Sequence, residues 1–106
     1  MAKYMVTGSY TLDGIKGVLK EGGTGRRKAV EAAIKAMGGH LEAYYFAFGE
    51  HDVVTIADVP DNVTAAALSM GIAATGTVRT KTTVLLTAEE VDQATKKTLS
   101  FRPAGQ

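Results

Sequence analysis

A histidine between two carboxylates is the cluster in this sequence best suited to acid–base chemistry. Glu50, His51 and Asp52 follow one another between two segments with strand patterns. Because imidazole titrates near neutral pH, His51 or Asp52 is a candidate general base, and Tyr10 is a further candidate for proton transfer. Consecutive strand side chains point to opposite faces, however, which separates the three groups unless the strand is bulged. The alternative is a hairpin turn in which Gly49 permits a positive φ and Asp52 bonds the local backbone.

The composition argues against metal or thiol chemistry. The chain has two histidines and no cysteine, which is a poor set of metal ligands and excludes disulfides and thiolate nucleophiles. We therefore expect neither a metal nor a cofactor.

A glycine-rich stretch followed by basic residues is a candidate anion site. Residues 22–28 read Gly-Gly-Thr-Gly-Arg-Arg-Lys, and glycines before a helix expose backbone N–H groups that phosphate or carboxylate groups bind. Arg26 and Arg27 would add positive charge. The stretch does not follow a strand directly and lacks a complete nucleotide-binding motif, so a flexible loop with solvated charges is the alternative.

Two basic residues on the last strand are the third candidate. Arg79 and Lys81 lie two positions apart and therefore share one face. With Tyr10 and Tyr44 they would form a basic, aromatic pocket for an acidic small molecule. Alternatively, they protect a sheet edge or pair with Glu42 across the sheet.

The whole chain has the composition of one small globular domain, residues 1–106. Apolar residues make up 45%, charged residues 22%, and the net charge is +1, so nothing favours nucleic acid or an anionic membrane as a partner. No apolar run approaches the ~20 residues of a membrane span, and the N-terminus has no signal-peptide core. We expect a cytoplasmic protein.

The hydrophobic pattern predicts alternating strands and helices. Alternation predicts strands, helical spacing predicts helices, and Gly, Pro or capping residues separate them. The predicted segments are a strand at 4–10, helical spacing from 12 broken at 22–25, a helix at 26–37, strands at 41–48 and 52–59, a helix from about 61 to 76, a strand at 77–86, and a helix and tail at about 88–106. Leu99 and Phe101 in the tail are expected to be at least partly buried.

The order β-α-β-β-α-β predicts a ferredoxin-like α+β fold, with both helices on one face of a four-stranded antiparallel sheet and an added C-terminal helix. Strict alternation in the strand at 41–48 puts Tyr44, Phe46 and Phe48 on one side. We expect this aromatic row on the uncovered face, where a large apolar patch indicates a homo-oligomer interface. RNA binding, which uses aromatics on the same topology, is less favoured because no RNP-type pattern is present.

Three runs of residues resemble the GYD-domain family of small bacterial proteins. They are Phe48-Gly49-Glu50-His51-Asp52-Val53-Val54, Asp58-Val59-Pro60-Asp61-Asn62 and Gly76-Thr77-Val78-Arg79-Thr80. The resemblance extends from Tyr4 to about Glu90, and His51 stands where the motif that names the family has tyrosine. It implies a ferredoxin-like fold similar to the dimeric α+β barrel proteins, and it carries no established reaction.

Together these observations predict a homo-oligomeric GYD-type protein that binds a small acidic or aromatic molecule near the sheet interface. The alternative is a cofactor-independent enzyme of the dimeric α+β barrel type, acting on a small organic substrate with His51, Asp52 or a tyrosine transferring the proton.

Overall fold

The computed structural model describes residues 1–106 and contains four strands and three helices. The elements in chain order are β1 (Ala2–Tyr10), α1 (Leu12–Ala36), β2 (His40–Phe46), β3 (Val53–Val59), α2 (Asn62–Ala73), β4 (Val78–Leu85) and α3 (Ala88–Thr95). All strand pairs are antiparallel and the sheet order is β2-β3-β1-β4. The predicted ferredoxin-like fold with an added C-terminal helix is therefore confirmed. No helix combines the length and apolar content that crossing a membrane requires.

The two faces of the sheet have different neighbours. The helix face lies under α1 and α2, and it carries Tyr4, Val6, Gly8 and Tyr10 from β1. Because strand side chains alternate, the intervening residues of β1 lie on the opposite, open face, as do Arg79 and Lys81 of β4. The structure leaves this open face without a covering layer.

A β-bulge in β2 changes which aromatic residues lie on which face. Leu41 pairs with Ala57 and Ala43 pairs with Ile56, so Glu42 is an extra residue in the strand. The residues after the bulge are consequently shifted by one position relative to strict alternation.

The prediction that Tyr44, Phe46 and Phe48 form a row on the open face is therefore wrong. Tyr44 and Phe46 pair with residues of β3 that are buried on the helix face, and their rings meet edge to face with centroids 5.5 Å apart. A Cβ atom built on Gly23 of α1 would lie 3.0 Å from the Phe46 ring. Phe48 lies beyond the end of β2 and is fully exposed. Tyr45 is the aromatic residue of β2 that faces outward.

Helix α1 contains the glycine-rich stretch rather than ending before it. Only Gly22, at φ 81° and ψ 164°, has non-helical backbone angles, so the predicted break is a kink of one residue. Thr24, the expected cap of a second helix, lies inside α1. The predicted stop at the following glycines is confirmed, since Gly38 has φ 83° and donates to Lys35 O while Gly39 donates to Ile34 O.

The hydrophobic core is small and lies between the helices and the sheet. Its members come from β1, α1, β2, β3 and α2, and they are Tyr4, Ile34, Leu41, Ala57, Val59 and Ala65. The Tyr4 hydroxyl donates to the Asn62 side chain, which satisfies its polar group beneath the start of α2.

The C-terminal segment projects from the rest of the protein. A capping box starts α3, because Thr87 Oγ1 accepts from Glu90 N and Glu90 Oε1 accepts from Thr87 N. Every residue from 88 to 106 is exposed, including Leu99 at 80% and Phe101 at 74%, so the expected burial of these two side chains is wrong for the single chain. The radius of gyration is 17.0 Å, compared with about 13 Å for a compact chain of this length.

Candidate functional site

A cavity lies between the helices and the centre of the sheet. Helix α1 packs mainly on β2 and α2 packs mainly on β4, so neither helix covers the central strands completely. Gly8 on β1 contributes no side chain there. A Cβ at that position would lie 2.9 Å from side-chain atoms of both Val53 and Val78, so only glycine lets these two residues approach it. The side chains of Val53 and Val78 therefore close over Gly8 at the floor of the cavity.

The cavity has a volume of about 110 Å³, and 13 of its 19 lining residues are hydrophobic. An enclosed apolar cavity on the order of 150 Å³ accommodates benzene, so this smaller space holds at most one ring or a short aliphatic chain. Its apolar wall over the sheet is formed by residues of both helices, namely Val30, Ile34, Ala65, Leu68 and Ile72.

One end of the cavity carries polar groups. The hydroxyl oxygens of Tyr10 and Tyr44 lie 3.4 Å apart, and Arg26 of α1 lines the same space. Tyr10 and Arg26 also line an adjoining polar groove of about 170 Å³ that includes Asp13 and Glu21. These two side chains therefore mark the boundary between an apolar interior and a polar entrance.

The electrostatics of this entrance favour a neutral phenol beside a cation. Burial is the largest cause that raises the pKa of Tyr44 above its ordinary value of 10.0, and the hydrogen bond with Tyr10 adds to it. The positive charge of Arg26 opposes this rise, and the negative charge of Glu21 supports it. Tyr44 is therefore protonated at neutral pH and available as a hydrogen-bond donor.

The structure separates the two arginines of the glycine-rich stretch. Arg26 faces Tyr44 and the cavity, and its Nη1 atom lies 3.5 Å from Glu21 Oε1. Arg27, one position later on the helix, is exposed and does not line the cavity. Residues 23–28 do not form an extended loop, because the chain is helical again directly after the single non-helical residue Gly22.

Arg79 and Lys81 do not meet the tyrosines. They pair with Ser9 and Thr7 of β1 on the open face, whereas Tyr10 and Tyr44 lie on the helix face. The predicted basic, aromatic pocket that combines them is therefore wrong.

The alternative pairing with Glu42 is also wrong. Lys3 Nζ lies 2.5 Å from Glu42 Oε1 and 3.1 Å from Asp58 Oδ1. Both carboxylates belong to β2 and β3, while Arg79 and Lys81 lie on the opposite edge strand β4. The side-chain hydrogen bond from Lys3 to Glu42 is the largest cause that raises the lysine pKa.

The hairpin residues His51 and Asp52 lie outside the cavity. Asp52 Oδ2 accepts from the Tyr10 backbone N at 2.8 Å, and Asp52 N donates to Gly8 O at 2.8 Å. The Asp52 carboxylate thus joins the hairpin to β1. The sequence had predicted a bond to the local backbone of the turn. His51 is half-buried, and no three His, Asp or Glu side chains lie close enough together to share a metal ion.

Several cavity residues were not identified from the sequence. Threonines line its floor at positions 55, 80 and 82, and Ser69 of α2 lies 3.0 Å from Thr82 between their hydroxyl oxygens. The available signal was the alternation along the strands, which puts Thr80 and Thr82 on the face opposite the charged Arg79 and Lys81.

A model of the GYD domain matches residues 4–95 of the chain. No curated protein and no solved structure matches it. The matched range contains all residues of the cavity and the hairpin and all of the sheet except Ala2 and Lys3 of β1, and it ends at the last residue of α3.

Proposed function

This chain belongs to the GYD domain family, and from its cavity we propose that it binds a small molecule with an apolar body and an acidic group. The observation that carries the proposal is the joint position of Tyr10, Tyr44 and Arg26 at the polar end of an otherwise apolar cavity. Ligand sites commonly combine apolar walls with a few converging polar groups.

The apolar body would lie in the cavity between the two helices and the sheet. The walls are hydrophobic and the volume is about 110 Å³. An aromatic ring or a short alkyl chain that enters would exclude water from these walls. Larger or strongly polar molecules would lose hydrogen bonds with water that these walls cannot replace.

The acidic group would lie at the entrance. Arg26 supplies a permanent positive charge, and its ion pair with Glu21 is long at 3.5 Å, which leaves donors free for a carboxylate. The neutral Tyr44 hydroxyl would donate a further hydrogen bond. A carboxylic acid therefore fits better than an amine, which would meet Arg26 as a like charge.

The same groups favour binding over proton abstraction. A general base must be deprotonated near the working pH, but burial raises the pKa of Tyr44. Of the three residues predicted as candidates for proton transfer, His51 and Asp52 do not line the cavity. The third, Tyr10, does, and its hydroxyl lies 3.4 Å from that of Tyr44.

Calorimetric titration with 3-phenylpropionate tests this proposal. Arg26→Gln should weaken binding by about tenfold or more, since a charge-assisted hydrogen bond contributes ~1.5–3 kcal/mol. Arg27→Gln, which removes the same charge one position away in solvent, is the matched control and should leave the affinity unchanged. The neutral amide 3-phenylpropanamide should bind more weakly than the acid. Equal losses for both arginine variants would contradict the proposal.

We also propose that the open face of the sheet packs against a second copy of the chain. Tyr45 is 69% exposed there. Val54 lies beside it on β3, and Ile56 and Met5 lie in the next row of the same face; all three are half-buried. A contiguous apolar face of this kind indicates an interface. It differs from the predicted one, because Tyr45 replaces Tyr44 and Phe46.

Sedimentation velocity distinguishes the two versions of this interface. Tyr45→Asp should dissociate the oligomer, while Phe46→Asp, on the helix face beside Gly23, should reduce stability and leave association intact. A monomeric wild-type chain would refute the open-face proposal without affecting the ligand proposal.

A further inference from the structure

One buried hydroxyl on the floor of the cavity has no hydrogen-bond partner within the chain. Thr55 of β3 is only 7% exposed and lines the cavity. None of the side-chain hydrogen bonds of the protein involves its hydroxyl, whereas Ser69 and Thr82 bond each other close by. Because most buried polar side-chain groups are hydrogen-bonded, an unpaired hydroxyl in a cavity is a candidate contact for a bound molecule.

The open side of this hydroxyl is toward the cavity. Thr55 pairs with Val6 and Tyr44 on the two neighbouring strands, and both of these residues line the cavity. The Thr55 side chain therefore lies on the helix face. No polar side-chain atom of the chain is both fully enclosed and unpaired, so the Thr55 oxygen can be reached by a molecule that occupies the cavity.

The other hydroxyl groups around the cavity are in different situations. Those of Tyr10 and Tyr44 lie 3.4 Å apart at the polar end, and that of Thr82 is paired with Ser69 of α2. Thr80 is only half-buried and lies on the edge strand β4. Thr55 is thus the cavity residue whose hydroxyl is both buried and unpaired.

Thr55 lies farther into the protein than the polar entrance. Its strand partner Val6 precedes Tyr10 by four residues, which is roughly 13 Å along β1. Tyr10 and Arg26 line both the cavity and the polar groove, whereas Thr55 lines the cavity alone. A ligand with its acidic group at Arg26 would therefore meet Thr55 with its apolar body.

We propose that Thr55 selects ligands whose apolar body carries a hydroxyl group, and that the ligand class is a phenolic carboxylic acid. A threonine hydroxyl both donates and accepts, so it can pair with a phenol in either direction. A ligand without this oxygen would leave the buried hydroxyl unpaired, which lowers its affinity. This inference rests on the proposed function and adds the second polar contact of the same site.

Calorimetric titration with three acids tests the role of Thr55. They are 3-phenylpropionate and its two analogues with a hydroxyl group at ring position 3 or 4. We expect one hydroxylated acid to bind the wild-type protein roughly three- to tenfold more tightly than 3-phenylpropionate, the gain from one neutral hydrogen bond. Thr55→Val removes the hydroxyl and keeps the branched shape, so it should abolish this preference. Thr55→Ser keeps the hydroxyl and should retain it.

Thr7→Val is the matched control. Thr7 is 9% exposed and lies on the open face of the sheet, where it pairs with Lys81. Its substitution removes a similarly buried hydroxyl from the other face and should leave the preference unchanged.

Urea denaturation supplies a measurement that needs no ligand. Because the Thr55 hydroxyl has no partner in the chain, Thr55→Val should leave the urea midpoint unchanged or raise it. A lower midpoint would show that the hydroxyl bonds the protein itself, which would contradict the inference.

Three titration results would overturn the inference. They are equal affinities of the wild-type protein for all three acids, a preference that survives in Thr55→Val, and a preference that is lost in Thr80→Val instead.

Failure of the proposed function would give a different result. Since Arg26 and Thr55 would contact different parts of the ligand, Arg26→Gln should weaken the binding of all three acids and keep the ratio of their affinities. Unchanged affinities in Arg26→Gln would contradict the proposed acid contact, while the ratio measured in Thr55→Val would still decide the role of Thr55.

Discussion

The two faces of this sheet are built from the same strands and have different surroundings. The helix face encloses a cavity with Tyr10, Tyr44 and Arg26 at its polar end, whereas the open face presents Tyr45 beside apolar and charged residues. One extra residue at Glu42 decides which aromatic side chain reaches which face. The comparison shows that a single bulge decides whether an aromatic side chain lies toward the cavity or on the open face.

The largest difference between the two faces is expected when the same substitution is made separately at two neighbouring valines. Val53 is buried on the helix face and Val54 lies on the open face. Val53→Asp should lower the free energy of unfolding by more than about 3 kcal/mol, because an unpaired carboxylate would be buried in the core. Val54→Asp should leave the chain folded and prevent association. Urea denaturation and sedimentation measure both, and equal destabilisation by the two variants would refute the assignment of the faces.

A smaller effect separates the two hairpin residues that were candidates for proton transfer. Asp52→Asn should lower the free energy of unfolding by about 1 kcal/mol, because it weakens a charge-assisted hydrogen bond to the Tyr10 backbone N. His51→Asn, beside it, should change neither stability nor affinity for 3-phenylpropionate. Thermal unfolding measures the stability of both variants, and calorimetry measures their affinity for the ligand. A loss of affinity in His51→Asn alone would show that His51 belongs to the ligand site.

The smallest effect is a pH dependence that arises from Tyr44. Below pH 10 the phenol is protonated in both the folded and the unfolded chain. Since burial raises its folded-state pKa, only the unfolded chain loses the proton just above pH 10, and stability falls as pH rises further.

Tyr44→Phe should therefore reduce the loss of stability between pH 9 and about pH 11, as measured by urea midpoints. Tyr45→Phe is the matched control, because that ring is largely exposed. An unchanged slope in Tyr44→Phe would show that Tyr44 is not held neutral by its surroundings.

The sequence predicted the element order because each transition has a local chemical cause. Asp61 caps α2 by accepting from Thr64 N, the hydrogen bond that is the largest cause lowering the Asp61 pKa, and Thr87 with Glu90 starts α3. Gly38 ends α1 with a positive φ. Such signals act within a few residues and can be read from the chain.

The candidate site could not be predicted in full, because its geometry depends on contacts between residues that are far apart in sequence. The bulge at Glu42 is defined only by the partner strand β3, and strict alternation therefore assigned Tyr44 to the wrong face. The cavity lies between α1, α2 and the sheet. The two helices are far apart in sequence, so no local pattern indicates the space between them. The sequence predicted Arg26 and Tyr44 as separate candidate residues. That both line the same cavity follows only from the three-dimensional structure.

Nuclear Overhauser contacts between bound 3-phenylpropionate and methyl-labelled threonines test the central claim most directly. Thr82 lines the cavity on the helix face, and its neighbour Thr83 lies on the open face. The ring protons of the ligand should contact the methyl groups of Thr80 and Thr82 and not that of Thr83. Contacts to Thr83 or Thr7, beside Arg79 and Lys81 on the open face, would contradict the account.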